Sequence, residues 1–288
     1  MGIGLRVFHA RCYPAEPDSR LPDPHARDTT LASHQWRRQT SDAILANHDL
    51  IMDIQKTIAQ ARKDGRSALD EAIGKQLLAD FGVTVPQSIV TKNEKSAVKD
   101  ASDLNFPVVV KVMSPDILHK SDVGGVKVGL QNAEDVQDAI AAMAKKPEIK
   151  KATVDGYLVE EMVPPGQELV VGGLKDPQFG PLVMVGLGGI FVEVLKDVAF
   201  RICPIEEIDA REMLAELKGA PLLKGARGQQ PVSEDAIVDV LMKVGGDNGL
   251  LMQLENDIAE ADINPLIVSE KSAVAVDARF ILTEQKSS

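Results

Sequence analysis

Tight turns between apolar segments are the feature that most narrows the possible folds of this chain. Two strand-like segments within 182–194 are separated only by Gly188-Gly189, and two within 258–279 only by a turn at 269–272. Such turns join antiparallel neighbours, whereas parallel strands need a long crossover. Helical patterns alternate with these strands. The sequence therefore predicts an α+β (mixed α/β) protein, with two lobes on either side of a cleft.

The first helix with a clear period follows Ser67, where Ser67 to Asp70 has the spacing of a capping box. Leu69, Ile73, Leu77 and Phe81 then recur every four residues, which predicts one buried face. We expect Gly82 to end this helix, and residues 83–86 to lead into a short strand. Further helices are predicted at 94–104, 132–146, 209–219 and 233–245, and further strands at 106–112, 126–130, 157–162 and 169–172.

Residues 1–47 differ in composition from the rest of the chain. They contain four prolines, six arginines and no lysine, and they show neither a helical nor a strand period. We interpret this segment as a disordered leader, a transit peptide, or an extension translated from a misassigned start. Acidic residues scattered through it argue against a transit peptide, because such peptides are poor in acids.

Charge and composition exclude several classes of function. The formal net charge of −11 argues against a nucleic-acid-binding protein, because that function needs a basic surface. No apolar run reaches the length of a membrane helix, and the first fifty residues lack the apolar segment of a signal peptide. Two distant cysteines, Cys12 and Cys203, cannot form a disulfide framework. We therefore expect a cytoplasmic protein.

A lysine within a buried strand is the first candidate for chemistry. Lys111 stands among valines, where a lysine either lies on an exposed face or points into a ligand cleft. A loop follows with His119, Lys120 and the pair Gly124-Gly125. Paired glycines let backbone amides approach phosphate oxygens, and a neutral imidazole can accept a phosphoryl group. Without other evidence, the same pattern also fits an ordinary hairpin.

Oxygen-bearing side chains converge near the carboxyl end of the chain. Strand alternation places Asp262 and Asn264 on one face of a strand, and Asp277 follows on the next strand. Carboxylate and amide oxygens suit Mg²⁺, with nucleotide phosphates completing the coordination. The alternative is a turn asparagine beside a surface acid. Glutamates also surround Pro164-Pro165, where a bent strand end can expose backbone groups to an adenine ring.

Six motifs, in order along the chain, resemble those of the ATP-grasp subunit or domain of ADP-forming acyl-CoA synthetases, relatives of succinyl-CoA synthetase. The motifs lie at 117–128, 176–181, 186–194, 197–201, 223–228 and 262–265. The resemblance runs from about residue 50 to 283 and implies an ATP-grasp domain at 48–283. It places a small lobe at 86–160, a large lobe at 67–85 and 161–283, and a tail at 284–288.

The resemblance also implies roles for individual residues. Lys111 and Lys120 would contact nucleotide phosphates beneath a loop that contains Gly124 and Gly125, and His119 would relay the phosphoryl group. Other implied sites are the adenine hinge at Glu161, Met162 and Val163, the ribose-binding acid Glu168, and the metal ligands Asn264 and Asp277. Arg201 and Arg227 would contact either phosphate or another subunit.

The reaction of the family joins acyl-CoA, ADP and phosphate to give a carboxylic acid, CoA and ATP. The resemblance implies ATP or ADP and Mg²⁺ as ligands, and a CoA-binding alpha-type subunit with its own active histidine, so we expect a hetero-oligomer. Neither nucleic acid nor a membrane is expected as a partner. Two alternatives stay open, a non-catalytic nucleotide-sensing module and another ATP-grasp ligase.

Overall fold

A computed structural model describes residues 53–117, 119–189, 195–225 and 230–284. The predicted leader at 1–47 and the predicted strand at 190–194 lie outside these residues. The described chain forms two antiparallel sheets, each covered by helices, so the predicted α+β class is confirmed. No helix in these four ranges is both long and apolar enough to cross a membrane.

The first sheet has four strands in the order β1-β4-β2-β3. Its strands are β1 (Ser88–Thr91), β2 (Val108–Met113), β3 (Val126–Leu130) and β4 (Gly156–Glu161). Three helices accompany it, α3 (Glu94–Asp100), α4 (Ala133–Met143) and α5 (Pro147–Lys151). Every residue of β2 is buried, because helices cover one face of the sheet and the cleft covers the other. Lys111 is therefore enclosed by the fold.

The second sheet has the order β10-β8-β5-β6-β7, with β9 paired to β8. Its strands are β5 (Gln167–Asp176), β6 (Gly180–Leu187), β7 (Val198–Ile202), β8 (Ile258–Val268), β9 (Ala273–Ala275) and β10 (Ala278–Leu282). The helices that follow β7 are α6 (Glu207–Glu216), α7 (Ala220–Leu223), α8 (Glu234–Gly245) and α9 (Leu250–Gln253). They pack on one face of this sheet and form the larger apolar core with it. The single strand predicted at 273–279 is in fact interrupted, because Val276 and Asp277 lie between β9 and β10.

Two helices precede both sheets, α1 (residues 53–63) and α2 (Glu71–Asp80). The predicted capping box is wrong: Asp70 is itself the N-cap, and its carboxylate accepts a hydrogen bond from the Ile73 amide. Gly82 has φ +78°, which favours glycine, so it ends the helix as predicted. The short strand predicted to follow residues 83–86 is confirmed as β1, which begins at Ser88.

Helix α2 packs closely on β10. A Cβ atom at Gly74 would lie 3.1 Å from the Ala278 carbonyl oxygen and 3.2 Å from the Phe280 ring. The buried face of α2 also differs from the predicted one. Leu77 and Leu78 are buried in the larger core, whereas Ile73 and Phe81 are only partly buried. Two other buried positions, Glu71 and Lys75, are charged, and Glu71 lines the cleft.

Candidate functional site

The cleft between the two sheets holds a cavity of about 1010 Å³. Lys111, His119 and Lys120 line it from the first sheet and its loop, and Asn264 and Asp277 line it from the second sheet. The two groups of residues are separated by more than 140 positions in the sequence. The fold therefore brings the predicted phosphate-contacting, relay and metal-binding residues to one place.

The Lys111 ammonium is surrounded by oxygen atoms. Its Nζ lies 2.6 Å from Glu71 Oε1, 3.0 Å from Glu160 Oε1 and 3.3 Å from the Val276 carbonyl oxygen. The Lys111 side chain leaves β2 and extends towards α2 and the 276–277 segment, where two of these oxygen atoms lie. Lys111 thus connects the first sheet to α2 by an ion pair and to the segment after β9 by a hydrogen bond.

A second buried lysine accompanies it. Lys75, on α2, is 2% exposed and forms an ion pair with Glu160 Oε2. Its Nζ also lies 3.2 Å from Glu71 Oε1 and 3.5 Å from the Val276 carbonyl oxygen. Burial and the neighbouring Lys111 ammonium lower the pKa of Lys75 to about 8, although Glu71 opposes this change.

Glu71 binds three lysines. Its Oε1 contacts Lys111 and Lys75, and its Oε2 forms an ion pair with Lys120 in the loop after β2. Burial alone would raise the pKa of this carboxyl. The combined attraction of Lys111, Lys75 and Lys120 nevertheless lowers it to about 2. Glu71 is therefore an anion at neutral pH and counters the charge of the basic side of the cavity.

The acidic side of the cavity, which carries Asn264 and Asp277, is held together by two backbone hydrogen bonds. The Asn264 amide donates to the Asp277 carbonyl oxygen at 3.2 Å, and Val276 donates to the Pro265 carbonyl oxygen at 3.0 Å. Asp262 precedes Asn264 by two positions and also lines the cavity, whereas Ile263 between them is buried in the core. The predicted alternation along β8 is therefore confirmed.

The acidic side fits a hard divalent cation. Burial raises the pKa of Asp277, with a further contribution from Glu71, and three lysines oppose the rise. Burial also raises the pKa of Asp262, and the Asp277 charge adds to it. A cation would relieve both effects. No cluster of three acidic, histidine or cysteine ligands occurs in the described chain. Bound phosphates would therefore have to complete the coordination.

The loop after β2 is shaped by its two glycines. Gly124 has φ +65°, and the Lys146 ammonium lies where its Cβ would be. A Cβ at Gly125 would lie 2.5 Å from Val112 Cγ1. Their amides donate to the carbonyl oxygens of Ser121 and Lys120. The glycines thus allow a tight loop that carries His119 and Lys120, and their own direct contact with phosphate stays a prediction.

The predicted hinge lies outside the residues that line this cavity. Glu161 ends β4, and its carboxylate accepts hydrogen bonds from the backbone and side-chain nitrogens of Asn105 at 2.7 and 2.9 Å. Exposed Met162 donates its amide hydrogen to the Pro107 carbonyl oxygen. Val163 follows it, and Glu168 is exposed at the start of β5. Their nucleotide contacts stay predictions.

Arg201 is not brought to the cavity. Its neighbour Phe200 belongs to a cross-strand row with Met184, Gly172 and Asp262, so Arg201 points to the opposite, helix-covered face. There its guanidinium pairs with carboxylates of α6, chiefly Glu216 at 3.0 Å, and this hydrogen bond raises the pKa of Arg201. A phosphate clamp would require these pairs to break. Arg227 lies outside the described residues.

Sequence reasoning missed three buried residues of the site, Glu71, Lys75 and Glu160. Glu71 and Lys75 are four positions apart on α2, which is the spacing of an ion pair on one helix face. That spacing is a usable signal, because it places two opposite charges on the same face of α2. Glu160 is one of several glutamates near the Pro164-Pro165 turn, and its local sequence does not distinguish it from the others. Its partner Lys75 lies 85 positions away, and nothing local indicates the pairing.

Comparison with known proteins agrees with this geometry. The model of the ATP-grasp domain family matches residues 60–282. The beta subunit of acetate–CoA ligase [ADP-forming] I from Pyrococcus furiosus is 44% identical over 236 residues, which cover 81% of this chain and 100% of the relative.

Solved structures give the same result. Acetyl-coenzyme A synthetase 1 from Ca. Korarchaeum cryptofilum, in complex with coenzyme A and Ca-AMPCP, matches with a TM-score of 0.74 and 43% identity. The match covers 80% of this chain and 99% of that chain. A second structure of that enzyme, with Mg-AMPPCP and a phosphohistidine segment pointing towards the nucleotide binding site, has a TM-score of 0.70 and 41% identity, covering 80% and 100%. The predicted resemblance is confirmed, and the chain belongs to the ATP-grasp family.

Proposed function

We propose that this chain is the ATP-binding beta-type subunit of an ADP-forming acyl-CoA synthetase and carries the phosphoryl transfer between a phosphohistidine and ADP. The observation that carries the proposal is the single cavity that His119 shares with the lysines Lys111 and Lys120 and the oxygen donors Asn264 and Asp277. The full-length match to a beta subunit at 44% identity supports the same reaction.

The nucleotide would lie with its phosphates in this cavity, between the small lobe at 86–160 and the large lobe. Lys120 and Lys111 would face the phosphate oxygens. Backbone groups at 161–163 would hold the adenine, and Glu168 would accept the ribose hydroxyls. Among the described residues, the amides of Glu161 and Met162 already donate within the fold, which leaves the Val163 amide for the base.

Magnesium would be held by Asn264 and Asp277, where it would offset the negative charge of the transferring phosphoryl group. The structure of the Korarchaeum relative with Mg-AMPPCP supports this choice of cation. The protein's own part is to present two oxygen donors, one on β8 and one in the segment that joins β9 to β10. The lysines on the other wall of the cavity would supply the remaining positive charge.

His119 would act as the acceptor and donor of the phosphoryl group. A ring nitrogen attacks the phosphorus of a phosphohistidine on the partner subunit, so that one N–P bond forms and the other breaks. A terminal oxygen of ADP then attacks the same phosphorus, giving ATP and free His119. The imidazole is exposed on the cavity wall, where an incoming segment can reach it.

A CoA-binding alpha-type subunit is the expected partner, because a phosphohistidine donor has to come from outside the described residues, in which His119 is the one histidine. Acyl-CoA, the carboxylic acid and phosphate would bind to that subunit or at its interface, in a hetero-oligomer. The subunit name of the Pyrococcus relative supports this assignment. A cytoplasmic location stays a prediction.

Replacement of His119 by asparagine tests the proposal. We expect ATP formation from acyl-CoA, ADP and phosphate, assayed with the alpha-type subunit present, to fall by at least about 1,000-fold. Binding of MgADP, measured by calorimetry, should change less than about threefold, because His119 is not placed among the nucleotide ligands. A fully active variant would remove the relay. Wild-type protein that binds MgADP but transfers no phosphoryl group would instead indicate the nucleotide-sensing alternative.

A further inference from the structure

The ammonium groups of the cavity are already bound to protein oxygens. Lys111 has three of them within 3.3 Å: it donates hydrogen bonds to Glu71 and to the Val276 carbonyl oxygen, and it forms an ion pair with Glu160. Lys75 is surrounded in the same way. In the described part of the chain, Lys120 contacts a single carboxylate, that of Glu71. A phosphate that approaches Lys111 from the cavity therefore competes with oxygen atoms that are already in place.

The partners of Lys111 differ in whether they can leave. Glu160 is 1% exposed within a central strand, forms a further ion pair with Lys75, and does not line the cavity. The Val276 carbonyl oxygen belongs to the backbone beside Asn264. Glu71, by contrast, lines the cavity and binds both Lys111 and Lys120. Among the described residues that line the cavity, Glu71 is the carboxylate that forms ion pairs with both Lys111 and Lys120.

Glu71 also has a place to go. It is the first residue of α2, and Lys75 lies one turn further along the same face, with its Nζ 3.2 Å from Glu71 Oε1. A rotation of the carboxylate towards Lys75 would free Lys120 and one hydrogen of Lys111 without any movement of the helix. Glu160, which is itself paired with Lys75, would meanwhile keep the Lys111 ammonium in position.

We propose that Glu71 is the carboxylate that nucleotide phosphates displace: it occupies Lys111 and Lys120 in the free protein and yields them when nucleotide binds. The inference rests on the proposed function, because it assigns the incoming anion to a nucleotide. Glu71 is thus a residue that sets nucleotide affinity, since every bound phosphate has to compete with it. Lys75 and Glu160 are positioning residues for Lys111.

The test is the affinity of Glu71→Gln for MgADP and for tripolyphosphate, measured by titration calorimetry. The amide has nearly the same shape but no charge, so it competes weakly for the ammoniums. We expect both ligands to bind at least about tenfold more tightly, which corresponds to about 1.4 kcal/mol. The melting temperature of the free variant should fall, because a buried anion is lost, and saturating MgADP should restore most of the difference.

Glu94→Gln is the matched control. Glu94 is also the first residue of a helix, α3, so this variant loses the same interaction with the helix dipole outside the cavity. Its affinity for both ligands should stay within about twofold of wild type. A gain in affinity that is equal in both variants would overturn the proposal.

The remaining outcomes separate the two proposals. If wild type binds MgADP and Glu71→Gln binds it equally or more weakly, the proposed displacement of Glu71 by phosphate is wrong and the proposed function stands. A melting temperature lowered equally with and without MgADP would mean that Glu71 is merely structural. If wild type binds neither ligand, both proposals fail. Tighter tripolyphosphate binding by Glu71→Gln, without ADP binding by wild type, would support the displacement of Glu71 by phosphate but not the proposed function.

Discussion

Removing the charges of Lys75 and Glu160, singly and together, tests whether the buried pair stabilises the fold. The variants are Lys75→Met, Glu160→Gln and the double variant. Each replacement is close in size to the original side chain, so packing changes little. Both residues are at most 2% exposed, and water therefore cannot compensate for the loss of a partner.

The expected magnitudes come from the contacts. A charge pair 3.0 Å apart, the separation of Lys111 Nζ and Glu160 Oε1, is worth about 5–6 kcal/mol at an effective dielectric constant of 20, before desolvation. Glu160→Gln leaves two lysines without this partner and should cost about 3–5 kcal/mol. Lys75→Met should cost only about 1–2 kcal/mol, because burial and Lys111 already oppose the charge of Lys75. The double variant should cost about 2–4 kcal/mol, which gives a coupling free energy of about 2–3 kcal/mol.

Urea denaturation at pH 7, followed by circular dichroism, measures the free energy of unfolding of all four proteins. The comparison holds where the slope of the transition is the same in each. The exposed pair Lys243–Asp239 on α8 is the control, and its coupling should stay below about 1 kcal/mol. Costs of the two single variants that add up to that of the double variant, within about 0.5 kcal/mol, would refute the attraction assigned to the buried pair.

Two further predictions concern pH and the metal. The folded pKa of Lys75, about 8, lies below the unfolded value of 10.5, so between these pH values the unfolded chain binds a proton that the folded chain has released. As the pH rises through this range, the free energy of unfolding of the wild type should therefore increase by up to about 3 kcal/mol relative to that of Lys75→Met. Urea denaturation at several pH values measures both proteins, and parallel curves would contradict this prediction. Asn264→Ala should weaken MgADP binding by about tenfold in calorimetry, because one oxygen donor is lost, and should leave magnesium-free ADP binding nearly unchanged. Unchanged affinity with magnesium would show that the amide is not a ligand.

The parts of the site that depend on local pattern could be predicted from the sequence. The alternation of Asp262, Ile263 and Asn264 indicated which side chains share a face, and the structure places the two polar ones in the cavity. Lys111 stood out because a single charge interrupts a run of valines. In both cases the informative residues lie within a few positions of each other.

The charge cluster could not be predicted in the same way. Lys75, on α2, and Glu160, on β4, meet only in the folded protein, and neither segment contains a sign of the other. The apolar period on α2 indicated a helix but misplaced its buried face, because Gly74 and Lys75 are buried whereas Ile73 is only partly so. Burial of a lysine is set by partners in space, which a periodic pattern does not contain.

The close approach of α2 to β10 at Gly74 has a consequence for engineering this protein. A methyl group there would meet the Ala278 carbonyl and the Phe280 ring, so either the helix or the strand has to shift by a few tenths of an ångström. Glu71 and Lys75 lie within one turn of Gly74, and Asp277 directly precedes the strand. Replacement of helical glycines by alanine is a common way to raise thermal stability, but at this position it would disturb both walls of the cleft. Ligand binding should therefore be measured together with the melting temperature for any substitution of Gly74.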